Sequence, residues 1–505
     1  MKKIVALLVA IGTITSMSSV YAVDLLDVFH HAQASDQTYK SAEATYMGTY
    51  TTLDQSKAKL LPNLGLTGGW TRTIQTTNTD DDYGGPTVAA GNALTKNNAY
   101  TYTLTLTQPL FNWQAFKAYD QVKLNVKYAA ATYAAAAQDL IMRTATAYFD
   151  VLEAQDVVNY TAVQEKALYR QLQVAQQRYN VGLDAITAVY DSEAQYDAMR
   201  ANYIASENAV SNKKEVLRTI TNQLYASLNH LKDDFPLLNP QPADIDQWTH
   251  MAEEANTTLA AQRYAALAAE AGIKVQSAQH LPTLDFTGTY GNTNTRQDSP
   301  AATQYTATGT YGLALTAPIY TGGNVDAEVK QAQYQYQGAV AQLDLTHRQT
   351  VSSVRQAYLG VIADISQIEA DREGVKSARA ALASNEAGYR VGTQTILNVL
   401  TAQSTLYQAE TTYTKDRYSY VINTLTLKQA AGTLNENDVI AINQWLTDQP
   451  IAEVKPVPIN LPAMKKKVDH KYHKKHTSTK KKVVKQKHVP AKAHVAKKAP
   501  AAQAN

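Results

Sequence analysis

Side chains able to do covalent or metal chemistry are few in this 505-residue chain. There is no cysteine, which removes disulfides, thiolate zinc sites, a Cys nucleophile and a lipid-modified Cys. Neither a phosphate-binding loop, a G-x-S-x-G elbow nor an H-E-x-x-H pair occurs. His470, His473 and His476 are spaced as ligands of a divalent cation could be, but they stand in a Lys/His stretch that reads as solvated. Asp80-Asp81-Asp82 reads as a polar loop and His30-His31 as a surface pair. No catalytic, cofactor-binding or metal-ligating residue is assigned. What remains are two Val-Gly turns, Val181-Gly182-Leu183 and Val391-Gly392-Thr393, and the polar side chains beside them.

The charge balance divides the chain. Residues 451–505 carry 15 Lys and 2 acids, a net +13, and the preceding 450 residues a net −10. The tail has almost no large apolar side chains and cannot bury a core, so it is predicted to be a disordered basic segment, 451–505. At the other end, Lys2-Lys3, the apolar run Ile4–Ile14 and Val20-Tyr21-Ala22 predict a signal peptide over residues 1–22. The run is too short for a membrane anchor. Export makes nucleic acid a poor partner for the tail and anionic envelope polymers or lipids better ones. Beyond the signal no stretch is apolar enough for a transmembrane helix.

Between these ends the sequence repeats itself. Tyr148, Tyr179, Val181-Gly182, Ile186 and Val189 recur 210 residues later as Tyr358, Tyr389, Val391-Gly392, Ile396 and Val399. Leu61-Pro62 recurs as Leu281-Pro282 at an offset of 220, and Gln108-Pro109-Leu110 as Ala317-Pro318-Ile319 at 209. The first copy, 23–235, therefore holds the longer loop; the second spans 236–450. In each copy a short helix leads to two strands with period-2 alternation: Leu64–Thr107 in the first copy and Thr283–Ala317 in the second. Tyr100, Tyr102, Leu104 and Leu106 alternate with Thr101, Thr103, Thr105 and Thr107. Runs of about ten residues are what a membrane β-strand needs, with polar loops expected at Thr76–Asn98 and Asn292–Thr303. After Pro109 and Pro318 the period becomes helical, and long helical hairpins are predicted over 112–225 and 325–431. Leu168, Leu172, Ala175 and Tyr179 form a coiled-coil seam, repeated by Ala378, Leu382, Asn385 and Tyr389. Glycine lets each hairpin reverse at Val-Gly.

Four membrane strands cannot close a barrel, and an open edge in hydrocarbon leaves unpaired backbone groups that cost several kcal/mol each. Copies of the chain must complete it, with two, three or four giving 8, 12 or 16 strands. Helices leaving the strand ends then form a tube about 100 Å long.

Leu61-Pro62-Asn63-Leu64, Gln108-Pro109-Leu110-Phe111, Tyr179-Asn180-Val181-Gly182-Leu183, His280-Leu281-Pro282-Thr283-Leu284, Gly388-Tyr389-Arg390-Val391-Gly392-Thr393 and Ala431-Gly432-Thr433-Leu434-Asn435 stand in order over residues 24–445. In them the chain resembles the TolC family of outer-membrane efflux proteins. The resemblance implies an α+β membrane protein: a homotrimer whose 12-stranded β-barrel, four strands per chain, continues into a periplasmic α-helical coiled-coil barrel. It implies passive export of drugs, toxins or proteins, in multidrug efflux and type I secretion, with a periplasmic adaptor and an inner-membrane RND, ABC or MFS pump, and outer-membrane lipid around the barrel. It places adaptor contacts at Val181, Gly182, Leu183, Val391, Gly392 and Thr393. Gate or constriction candidates are Tyr389, Asp184, Thr187, Gln394, Asn398 and Thr401. Well-studied members lock the tip with Tyr, Arg and Asp; here the Tyr is Tyr389, but the Arg position holds Gln394 and the Asp position Ala188. Two inward Asp rings of the family fall on Asn398 and Thr401. Asp184, at the first tip, could supply a replacement ring of carboxylates; the plainer reading is a solvated acid favoured at a helix N-terminus. A trimeric adhesin, the alternative with four strands per chain, would have them contiguous at its C-terminus, and the 210-residue separation argues against it.

Overall fold

The computed structural model describes residues 22–77, 93–298 and 301–447. The signal peptide, the Asp80–Asp82 run, the basic tail and its histidines lie outside the described residues, Ala22 excepted.

Capping fixes where the first helices begin. Asp24 accepts from the Asp27 amide to start α1 (Leu25–Ser35), and Asp36 accepts from the Tyr39 amide at 2.6 Å to start α2 (Gln37–Ala58). Asp36 is buried and takes two hydrogen bonds from Arg143, at 2.9 and 3.1 Å. Burial pushes its carboxyl up, but the Arg143 and backbone hydrogen bonds outweigh that and hold it below its ordinary value. The pair's contribution is thus complete above pH ~4 and lost as pH falls through the lowered value. Arg143→Met, which leaves the carboxylate buried, is expected to cost about 2 kcal/mol at pH 7. That deficit should shrink below pH ~4 in thermal melts, as the unpaired Asp36 takes up a proton.

Two hairpins follow the short helices and lie side by side. β1 (Asn63–Thr77) pairs with β2 (Ala93–Phe111), and β4 (Thr283–Asp298) with β5 (Ala301–Thr316), in one antiparallel sheet of order β1-β2-β4-β5. Register aligns like with like: Leu66 opposite Leu104 opposite Tyr290, and Thr67 opposite Thr103. One face is therefore an apolar band of Leu64, Leu66, Trp70, Tyr102, Leu104, Tyr290, Leu313 and Leu315, all exposed. The other face is largely Thr, and Thr289 and Thr310 share a hydrogen bond across it. The strands run to 15–19 residues, longer than expected, because polar residues keep the backbone ladder going past the apolar band. Ala93–Asn98 and Asn292–Asp298 are strand where loop was expected. Nor does Pro109 end β2: it sits inside the strand at a register shift, where its missing N–H costs no ladder bond. The outer edges of β1 and β5 are unpaired among the described strands.

Two 68-residue helices descend from the sheet: α3 (Trp113–Asn180), capped by Asn112, and α7 (Asn324–Val391). Each is about 100 Å long. Each turns at glycine into a shorter helix, α4 (Ile186–Thr221) and α8 (Ile396–Ala430). Among the described residues no helix is long and apolar enough to cross a membrane. A belt packs around the middle of these helices, made of α1, α5 (Ile245–Ala255), α9 (Glu436–Asn443) and the short pair β3 (His230–Leu231) with β6 (Leu446–Thr447), while α6 (Thr257–Ser277) runs along the upper part of α3 toward β4. Here lies the main core. Tyr148 is fully buried and donates to the Asn229 and Val23 carbonyls at 2.8 and 3.2 Å. Its counterpart Tyr358 is only partly buried, so the duplicated positions have diverged.

Candidate functional site

The two Val-Gly turns end the helical hairpins together. Gly182 (φ 78°) and Gly392 (φ 82°) are left-handed, a conformation only glycine adopts without strain. At each, the amides just past the helix close back on it: Leu183 to the Arg178 carbonyl at 2.9 Å, and Thr393 to the Gly388 carbonyl at 2.9 Å. Thr395 then caps α8 by accepting from the Asn398 amide, whereas Ala185 starts α4 with no side-chain cap. A small core holds the hairpins to one another, with Leu168 of α3, Ala188 of α4, Leu382 and Tyr389 of α7, and Ile396, Val399 and Leu400 of α8.

Against that core stands a polar cluster. Asp184 accepts from Arg178 Nε at 2.9 Å and Nη2 at 3.3 Å, and from the Tyr389 hydroxyl at 2.6 Å. The Arg178 guanidinium also lies over the Tyr389 ring, 4.7 Å from its centre. Burial would raise the Asp184 carboxyl, but the bonds from Arg178 and Tyr389 hold it below its ordinary value; burial and the Asp184 charge push the Tyr389 phenol far up. At neutral pH the group is a carboxylate, a guanidinium and a neutral phenol, with no net charge. It ties α3, the first turn and α7 together.

The candidates therefore separate. Asp184 and Tyr389 meet. Gln394 meets Asn398, whose amide donates to it at 2.5 Å. Thr187 and Thr401 are exposed and stand apart from the cluster. Thr393 turns its hydroxyl back onto the Gly388 carbonyl, while Val181, Leu183 and Val391 project outward, 62–75% exposed, with Tyr179 and Tyr190 beside them. The seams are asymmetric: Tyr389 is buried and Tyr179 is exposed at the equivalent place. Arg178 was not foreseen. The available signal was a basic residue six positions before Asp184, which a Gly turn folds back onto it.

A sheet with an apolar band and two open edges, drawn out into 100 Å helices that end in paired turns, defines an outer-membrane channel subunit. The comparisons supply the family. The model of the outer membrane efflux protein family matches residues 28–223 and 248–433, one segment in each copy. Outer membrane protein TolC of Escherichia coli (strain K12) is 37% identical over 457 residues, 88% of this chain and 90% of that one. The proteases secretion protein PrtF of Dickeya chrysanthemi is 27% identical, over 88% of this chain and 96% of its own. The crystal structure of the outer membrane protein VceC of Vibrio cholerae superposes with a TM-score of 0.66 at 20% identity, covering 81% of this chain and 96% of that one. The chain belongs to the outer membrane efflux protein family, resides in the outer membrane and extends its helices into the periplasm.

Proposed function

We propose that three copies of the chain close a 12-stranded barrel and a continuous helical tunnel, an exit duct shared by efflux and type I secretion. The observation that carries this is the sheet with unpaired edges at β1 and β5. β5 descends where β1 ascends, so a neighbour's β1 adds to β5 antiparallel, as β4 adds to β2 within the chain. The duplication even supplies the register. Leu104 faces Tyr290, and the two offsets carry that pair to Leu313 of one protomer and Trp70 of the next. Closure satisfies every edge N–H and C=O in hydrocarbon.

A duct of this kind has no catalytic residues and draws its energy from an inner-membrane pump through a periplasmic adaptor. Val181, Leu183 and Val391 are the adaptor-facing residues, since an exposed apolar patch at the end of a 100 Å helical arm is a docking surface. The Arg178–Asp184–Tyr389 cluster holds the hairpins together and keeps the tip shut. A ring of Asp184 carboxylates, each neutralised by Arg178, is a clasp and not a cation filter. The range of cargo follows the relatives: PrtF is a protein concerned with protease secretion, and TolC stands at higher identity.

Absence of native cysteine makes the register directly testable. The Trp70→Cys/Leu313→Cys double variant is expected to give a covalent trimer under mild oxidation, resolved on denaturing gels. Moving one cysteine by a single residue to Ala314 turns it to the opposite face and should abolish the product. Dimers as the largest product, or equal cross-linking at both positions, refutes the arrangement. Deletion of the gene, scored for drug sensitivity and for lost extracellular protein, tests the cargo.

A further inference from the structure

The α7/α8 hairpin carries a ladder of polar rungs above its tip. Asp364 of α7 accepts from the Asn423 side chain of α8 at 2.7 Å. Two turns down, at heptad spacing on both helices, Asp371 stands opposite Asp416, their carboxyl groups within hydrogen-bonding reach. Further down, Arg379 donates to Glu410 at 2.8 Å. The middle rung sets two acids against each other. Its surroundings are one donor short: Gln367 donates to Asp371 Oδ1 at 2.9 Å, but Asp371 Oδ2 is shielded from solvent and receives nothing. A shielded carboxylate oxygen without a donor is costly, and Asp416, opposite it, supplies one when it holds a proton.

We propose that a protonated Asp416 carboxyl bridges to Asp371 and forms an acid-strengthened latch between α7 and α8, hydrogen-bonded in mild acid and repulsive once the proton leaves. In the closed form the Asp416 carboxyl donates its O–H to Asp371 Oδ2 and reproduces the Asp364–Asn423 rung. The proton comes from solvent and returns to it. Partial burial, then the bond and charge of Asp371 and the charge of Asp364, push Asp416 up to about 6; Lys415 works against this. From α3, Glu153 faces the same lysine, with Asp150 and Lys213 behind it, so the Lys415 charge is divided between two acids. The folded value lies above the unfolded one of ~3.9, so the rung's stabilisation is complete below pH ~4 and is lost as pH rises through about 6. The latch stands roughly 30 Å from the Gly392 turn, in the arm that must move if the tip opens, but it rests on the rung alone and not on the cargo or the number of protomers.

The test uses the full-length protein purified in detergent. The infrared difference between wild type and Asp416→Asn at pH 5 is expected to show a protonated-carboxyl band that disappears by pH 8. The wild-type melting temperature should fall over that range relative to Asp416→Asn, whose amide donates to Asp371 at every pH. Asp371→Asn makes the same measurement from the opposite helix should the first variant fail to fold. No carboxyl band at pH 5, or identical pH slopes in wild type and a folded variant, overturns the latch.

Discussion

Gly432→Ala is expected to remove the folded channel from the outer membrane. Gly432 follows α8 with φ 75°, and a Cβ there would meet the backbone of the α5–α6 joint: the Ala255 carbonyl oxygen, its carbon at 2.5 Å and the Asn256 Cα at 2.6 Å. None of these atoms can rotate aside. Asn256 holds the joint closed, donating to the Ala430 carbonyl at 2.9 Å and accepting from the Leu259 amide at 2.8 Å, while Gln138 of α3 donates to the Gly432 carbonyl at 3.0 Å. A methyl group must therefore prise α8, α3 and α5–α6 apart at once. Left-handed strain costs about 1–2 kcal/mol and overpacking about 1–3 more, together a large share of the roughly 5–15 kcal/mol that holds a domain folded. Gly182→Ala is the control: it has the same left-handed backbone, but open space around its Cβ, and should lose only the strain. Immunoblots of outer-membrane fractions, with melting of whatever accumulates, separate the two. Equal accumulation would show that the joint has room to spare.

The contrast between these glycines shows where sequence reading reaches and where it stops. Both lie in motifs visible as sequence, Val181-Gly182 and Ala431-Gly432-Thr433-Leu434-Asn435, and both ends of helices were legible from them. What surrounds Gly432 was not, because the atoms against it come from residues about 175 positions earlier, brought there by packing. The fold itself was readable because its determinants are periodic and local: alternation of Leu or Tyr with Thr, 68 residues compatible with helix, and two offset copies. Strand ends were less so. Asn, Thr and Arg beyond the apolar band look like loop, yet stay in the ladder because pairing needs only backbone once the register is set.

At the tips the duplication was informative and also misleading. Equivalence of Tyr179 with Tyr389 suggested one role for both, yet one is exposed and the other buried in the small core. The reason is the different residue two places past each glycine: Asp184 after Gly182 draws Tyr389 and Arg178 together, whereas the side chain of Gln394 after Gly392 takes its hydrogen bond from Asn398 in the first turn of α8. Asp184 was recognisable as a charge at the turn. Its partner was not, since Arg178 becomes a neighbour only when the chain reverses. A free carboxylate and a paired one are identical in sequence and opposite in consequence.

Asp184→Ala is accordingly expected to open the tip. Removing the carboxylate leaves Arg178 partly buried without its anion and Tyr389 without its acceptor. Arg178 and Asp184 are 23% and 15% exposed, so the loss falls short of a fully buried pair, at about 2 kcal/mol per protomer. That moves the balance between shut and open hairpins by roughly 30-fold. In planar bilayers the variant should show a higher and longer-lived conductance than wild type, and Arg178→Ala should match it without adding to it in the double variant. Tyr389→Phe, which keeps the ring packed beneath the guanidinium and removes one donor, should give a smaller rise. Acid should mimic the carboxylate deletion only late. The Asp184 carboxyl titrates below its ordinary value, so the clasp persists through mildly acidic pH and yields below about pH 4, when the carboxylate is neutralised. Unchanged conductance in Asp184→Ala with normal trimer yield would leave the tip held by the apolar core of Leu168, Leu382 and Val399 alone.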